Sequence, residues 1–203
     1  MSTEAVAESE RDRLLRRTAD HVLEHGLSGL TLRSIGGAIG TNNRMLLYYF
    51  GSKEQLIGQV LMAASARFPT FNAATTALDV PDVPLVERLL ACWRGIAAPE
   101  NRPFIRLFFE IFGQAVHKPG QFDEFLARVG HDWTNQVAGT LRAEGVPAAV
   151  AGGMAREIVA VWRGLQFDLI STGDAEAVAA SYAATATAFA QRCAAAAGRQ
   201  LAS

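Results

Sequence analysis

Apolar residues recur three and four positions apart along almost the whole of this chain, and alternation never lasts long enough to make a strand. That regularity restricts the fold to packed helices. Half of the 203 residues are apolar, enough for a substantial core, and the length suits one domain or a small domain joined to a larger one. Caps and glycines cut the pattern into pieces. A first helix is predicted over 9–24, with Leu14, Leu15, Thr18, Ala19, Val22 and Leu23 on one face and His25-Gly26 as its stop. Thr31 caps a short helix carrying Leu32, Ile35, Ala38 and Ile39, and Gly40 ends it. Thr41 or Asn42 caps the next helix, which ends near Tyr49, and Ser52 caps a fourth that carries Leu56, Val60 and Leu61.

Two short helices joined by a tight glycine turn fit a helix-turn-helix whose second member enters a major groove; a generic helical hairpin is the plainer reading. Leu46 and Phe50 lie four apart, share a face and are expected to pack on Ile35 and Ile39. Asn43, Arg44, Met45, Leu47 and Tyr48 are then left facing outward beside Asn42. Asparagine matches the N6/N7 edge of adenine, arginine matches guanine O6/N7, and Met45 or Leu47 suits a thymine methyl. The hydroxyls of Tyr48 and Tyr49 suit phosphate oxygens, with Thr31, Arg33 and Lys53 on the flanking backbone. Tyr49 serves equally well as a cover over the joint between the first and third helices, and Arg44 is either a base reader or a phosphate clamp.

Charge agrees with this placement. From 11 to 53 there are seven cations (Arg11, Arg13, Arg16, Arg17, Arg33, Arg44, Lys53) and three acids (Asp12, Asp20, Glu24), a balance of +4 in a chain whose formal net charge is −1. A basic head on a neutral-to-acidic body follows. Arg11, Arg13, Arg16 and Arg17 are either a solvated face or include one or two phosphate contacts.

The remainder reads as a larger helical body. Pro81, Pro84 and Pro99 bracket a helix with Leu85, Leu89, Leu90, Trp93 and Ile96, and Pro103 opens the next. Lys118-Pro119-Gly120 is a break, followed by helices over 121–144 and 148–171 and an Ala-rich helix ending near Gly198. Trp93, Phe108, Phe109, Phe112, Trp133, Trp162 and Phe167 supply either an ordinary core or the wall of a small-molecule pocket. Small residues concentrate at the end, with Gly152, Gly153, Ala155 and Gly164, then Ala175, Ala179, Ala183, Ala186, Ala190 and Ala194.

Other classes leave no signature. His21, His25, His117 and His131 are scattered, no P-loop, HExxH or Glu-x-x-His pair occurs, and GGAIG at 36–40 has no strand before it, so neither an enzyme nor a bound cofactor or metal is expected. Cys92 and Cys193 have no metal or redox spacing. The acidic N-terminus is not a secretory signal and no apolar run spans a bilayer, so the expected location is the cytoplasm, with no membrane partner.

The stretch TLRSIGGAIGTNNRMLLYYFGSKEQL resembles the DNA-binding head of the tetracycline-repressor (TetR-like) family of transcription regulators. Thr31, Ile35, Ala38 and Gly40, then Leu46, Tyr48, Phe50, Ser52, Lys53 and Glu54, stand in the family's order across about residues 10–60. Arg44 stands where a small residue is usual and Leu47 where a tyrosine is common, so an operator sequence does not follow from the likeness. The resemblance implies an all-α protein, with a three-helix DNA-binding head over 1–51 and a ligand-binding and dimerisation domain over 52–203. It also implies a homodimer through the last two helices, a palindromic double-stranded operator, a small-molecule effector and repression as the default. The alternative is a helical small-molecule-binding protein or enzyme built around the aromatic interior.

Overall fold

The computed structural model describes residues 8–117, 120 and 122–201. Among these residues ten α-helices follow in order: α1 (Glu10–His25), α2 (Leu32–Ile39), α3 (Asn43–Phe50), α4 (Lys53–Ser65), α5 (Pro69–Asn72), α6 (Leu85–Ala97), α7 (Arg102–His117), α8 (Asp123–Ala143), α9 (Ala148–Thr172) and α10 (Ala175–Leu201). Short 3-10 segments occupy Ala74–Asp79 and Pro99–Asn101. No strand occurs among the described residues, and the fold is all-α as the periodicity requires. The first seven residues and the predicted break at Lys118-Pro119 lie outside the described residues. None of the described helices is long and apolar enough to cross a membrane.

Contacts divide the chain into two compact units. One comprises Met1–Phe68 and Arg106–Asp123; the other comprises Pro69–Ile105 and Glu124–Ser203.

In the first unit α1 packs on α2 and α4, and α3 closes the group. Its interior is made by Leu14, Val22, Ile35, Ile39, Leu46, Phe50, Leu56 and Val60, all nearly inaccessible. Thr18 is buried with them because its hydroxyl donates to the Leu14 carbonyl at 2.8 Å. Leu15 and Leu23 are only half-buried and Ala38 is exposed, so the apolar faces of α1 and α2 are narrower than their periodicity suggests. The second half of α7 belongs to this unit. Its Glu110 carboxylate accepts the Leu27 N–H at 2.5 Å, inside the turn between α1 and α2. Gly26 makes the approach possible: its φ is 78°, and a Cβ there would lie 2.5 Å from a Glu110 oxygen.

The second unit is organised around α6, which packs on α10 and on the Ala74–Asp79 segment. Arg88 is buried and donates to the Leu78 carbonyl at 2.8 Å and to Glu144, tying the 3-10 segment to the end of α8. Fully buried Asn101 donates its Nδ2–H to the Gly95 carbonyl at 2.7 Å, securing the end of α6. Gln136 on α8 donates to the Thr75 carbonyl at 3.2 Å and to Asp79 at 3.0 Å. On α10 the buried stripe is Val178, Tyr182, Ala186, Phe189 and Cys193, a three-and-four spacing that gives an Ala-rich helix one well-defined inner face. Cys92 and Cys193 are free thiols, and burial pushes Cys92 up to about 12.

Candidate nucleic-acid interface

Local chemistry builds the turn between α2 and α3. Thr31 and Ser34 form a reciprocal capping box at the start of α2. Gly40 takes the left-handed conformation (φ 73°, ψ 39°), and the next amide, Thr41 N–H, closes back onto the Gly36 carbonyl at 2.8 Å. Asn42 then caps α3, its Oδ1 accepting the Met45 N–H at 3.0 Å. Gly36 is needed here for room, because a Cβ would stand 3.1 Å from the Thr41 carbonyl oxygen and 3.4 Å from the Asn42 Cα. Leu46 and Phe50 face inward at 0% and 3% exposure, which fixes the rotation of α3.

That rotation decides what α3 presents. Asn43, Arg44, Leu47 and Tyr48 are exposed, Tyr48 at 77%, while Met45 and Tyr49 are half-buried. The Tyr48 and Tyr49 rings meet edge-on at 4.9 Å, and Tyr49 also leans on Phe50 at 6.4 Å, so Tyr49 is part cover and part surface. Thr31 and Asn42 are exposed, but their side-chain oxygens are already used as caps. Arg33 is exposed, and Lys53 is half-buried at the first position of α4, just after the Ser52 cap.

The arginines of α1 separate by partner. Arg13 holds Glu10 at 2.7 Å and Arg16 holds Glu8 at 2.9 Å, and those hydrogen bonds keep both carboxyls below the usual range. Arg11 donates to Gln59 and lies over the Phe50 ring at 5.4 Å. Arg17 differs. Its guanidinium approaches the α2–α3 turn, within 3.6 Å of where a Gly40 Cβ would be, and it has no hydrogen-bond or ion-pair partner among the described residues. The same is true of Arg33, Arg44 and Lys53. Between Thr31 and Lys53 the sequence has three cations and no carboxylate. A surface of amides, guanidinium groups and a phenol, with cations not neutralised by their own chain, is suited to an anionic ligand with readable edges. Gly36 is a residue that sequence reasoning did not single out, and Arg17 was named only as one of four arginines with one or two phosphate contacts among them. The sign of Arg17 was visible, but its position depends on the packing of α1.

The seven aromatic candidates do not form one cluster. Phe108, Phe109 and Phe112 on α7 form a group in the first unit, with Phe108–Phe112 centroids 4.6 Å apart. In the second unit Trp133 stands edge-on to Trp162 at 5.8 Å and leans on Phe71 at 5.2 Å, which meets Phe104 at 5.2 Å. Trp162 donates its Nε1–H to the Tyr182 hydroxyl at 2.8 Å, and Tyr182 packs on Trp93 at 5.2 Å. Burial pushes the Tyr182 phenol above its ordinary range. Phe71, Phe104 and Tyr182 therefore join Trp93, Trp133 and Trp162 in a continuous aromatic ladder. Phe167 is elsewhere, 56% exposed on the outer side of α9. Gly153, Ala160 and Gly164 share that outer side with it, and Ala180, Ala184 and Ala188 are exposed along α10.

The folded class is thus a helix-turn-helix head on an all-α chain. Residues 14–60 match the sequence model of the family described as bacterial regulatory proteins, tetR family. The whole fold is also shared with solved structures. A transcriptional regulator from Rhodococcus sp. Rha1 superimposes with a TM-score of 0.71 at 15% identity, covering 90% of this chain and 97% of its own. A TetR-like transcriptional regulator from Rhodococcus sp. RHA1 gives 0.57 at 18% identity, covering 100% and 99%. The multidrug binding protein EbrR, complexed with imidazole, gives 0.66 at 21% identity, covering 93% and 97%. At these identities the likeness is one of fold. No functionally curated protein matches the sequence. Residues 14–60 are thus similar to the tetR family in sequence, and the chain as a whole shares its fold with these regulators.

Proposed function

We propose that this protein is a sequence-specific DNA-binding repressor, a homodimer that reads a palindromic double-stranded operator in the cytoplasm and releases it when a small molecule binds. The observation that carries the reading is the outer face of α3, where Asn43, Arg44, Leu47 and Tyr48 are exposed together. Arg17, Arg33 and Lys53 make no hydrogen bond or ion pair among the described residues and are available to phosphates beside it. In this reading Asn43, Arg44, Met45 and Leu47 address base edges. Thr31, Arg33, Asn42, Tyr48, Tyr49 and Lys53 hold the backbone.

Dimerisation follows from need and from surface. One eight-residue helix reads too few bases, and a twofold pair reads both halves of a palindrome. The outer sides of α9 and α10 carry the small residues Gly153, Ala160, Gly164, Ala180 and Ala184, with the large apolar Phe167 beside them, and the small groups permit close approach to the same helices of a second copy. The division of labour assigns DNA reading to residues 1–51 and effector binding and dimerisation to 52–203. The aromatic ladder is the effector site's wall, in keeping with the imidazole complex of EbrR. An effector that prefers dimers with their heads displaced lowers DNA affinity by the ratio of its affinities for the two states.

Selection of bound duplexes from a random pool tests this function. Enrichment of a palindrome whose affinity falls steeply with salt is the expected result. A folded protein that enriches no sequence at low salt would overturn it.

A further inference from the structure

The buried stripe of α9 reads Ala151, Ala155, Ile158, Val159, Trp162, Gln166 and Leu169. Gln166 is its only polar member. It is 1% exposed, and its Nε2 has no hydrogen-bond partner among the described residues. A buried donor left unmade opposes folding, and a leucine or methionine of similar volume would avoid that cost. Three other side chains hold an unpartnered buried atom, and each differs. Arg88 and Asn101 make other hydrogen bonds that tie elements together, and Arg102 is only half-buried.

The surroundings say what Gln166 is suited to hold. Trp162 lies one turn before it, and the polar atoms of Trp162 and Tyr182 are already engaged. The Trp162 Nε1–H donates to Tyr182, whose hydroxyl donates to the Leu89 carbonyl at 3.2 Å. An amide donor beside aromatic faces matches a flat apolar molecule with one hydrogen-bond acceptor. Among the described residues of this unit the buried charged side chain is Arg88, which is engaged with Glu144 and the Leu78 carbonyl, so the described interior favours an uncharged ligand.

We propose that Gln166 is the polar anchor of an effector site in the second unit, donating its Nε2–H to the carbonyl oxygen or ring nitrogen of an uncharged, planar aromatic ligand. The inference rests on the effector-binding reading above and gives that site a ligand class.

The test is calorimetric titration of the full-length protein with two isosteric pairs, quinoline against naphthalene and acetophenone against ethylbenzene. The acceptor-bearing member of each pair is expected to bind about tenfold more tightly. Gln166→Leu removes that preference and raises Tm, because the unpartnered donor is gone. Gln166→Met, also without a donor, repeats the comparison if the leucine variant does not fold. Equal binding within each pair, or a preference that survives the substitution, would overturn the role of Gln166 while leaving an aromatic effector site in place. A fall in Tm in both variants would do the same, by showing the amide satisfied within the fold. No binding of any of the four compounds would remove the effector reading along with it.

Discussion

The outer face of α3 and the outer faces of α9 and α10 are both uncovered in the single chain, yet they carry opposite chemistry. On α3 the exposed residues are Asn43, Arg44, Leu47 and Tyr48, rich in directional donors and bordered by cations without partners. On α9 and α10 the small residues Gly153, Ala160, Gly164, Ala180, Ala184 and Ala188 lie exposed with Phe167, and Glu157 and Arg192 among them pair with each other. A polar face remains well hydrated until a ligand with matching edges displaces the water, so it suits selective and reversible recognition. A smooth apolar face gains by burial against any surface of its own shape, and a second copy of the same helices supplies one. Exposure alone therefore says little; the functional groups on the exposed face indicate the partner.

The largest expected effect comes from placing charge on the smooth face. Ala160→Glu combined with Ala184→Glu puts carboxylates where two copies would meet, and the dimer dissociation constant should rise at least about 100-fold, equivalent to about 3 kcal/mol. Sedimentation velocity across a concentration series reads this directly. Unchanged assembly would show that these faces are not the interface.

A smaller effect is expected from the cap that sets the pitch of α3. Asn42→Ala leaves the Met45 N–H without its acceptor and should cost about 1 kcal/mol, or about 2–4 °C in Tm for a chain of this size. A thermal melt reads that loss. DNA affinity should fall beyond that loss, because Asn42 is also placed on the DNA backbone; a fall no larger than the stability loss would confine Asn42 to capping.

The mildest change sharpens the contrast between base reading and backbone contact. Arg17→Ala removes a cation beside the turn without disturbing a hydrogen bond or ion pair among the described residues. It should weaken binding equally on all duplexes and lower the slope of log affinity against log salt by about 1. An unchanged slope would place Arg17 away from the phosphates.

Much of the head was legible in the sequence because its determinants are local. Ser9, Thr31, Asn42 and Ser52 each cap a helix through an amide three residues on, and Gly40 takes the left-handed turn its position demands. The outward set on α3 followed from the Leu46–Phe50 spacing, apart from Met45, which packing half-covers. Long-range partners were not legible. Glu110 reaches Leu27 across 83 positions, and Tyr182 reaches Leu89 across 93, distances over which periodicity carries no register. Phe167 looked like the other aromatics of the body, but α9 turns it outward, and only the rotation of that helix about Trp162 and Leu169 reveals it. Gln166 escaped notice for the converse reason, since a glutamine in a helix is ordinarily read as surface.

The central claim is that α3 reads DNA sequence, and Arg44 tests it most directly. With the selected duplex in hand, affinities of wild type and Arg44→Ala are measured against a set of single-base-pair variants. The expected result is a loss of about 1–3 kcal/mol on the selected duplex, with discrimination relaxed at one symmetric pair of positions and retained elsewhere. An affinity and a base preference indifferent to Arg44→Ala at every position would contradict it.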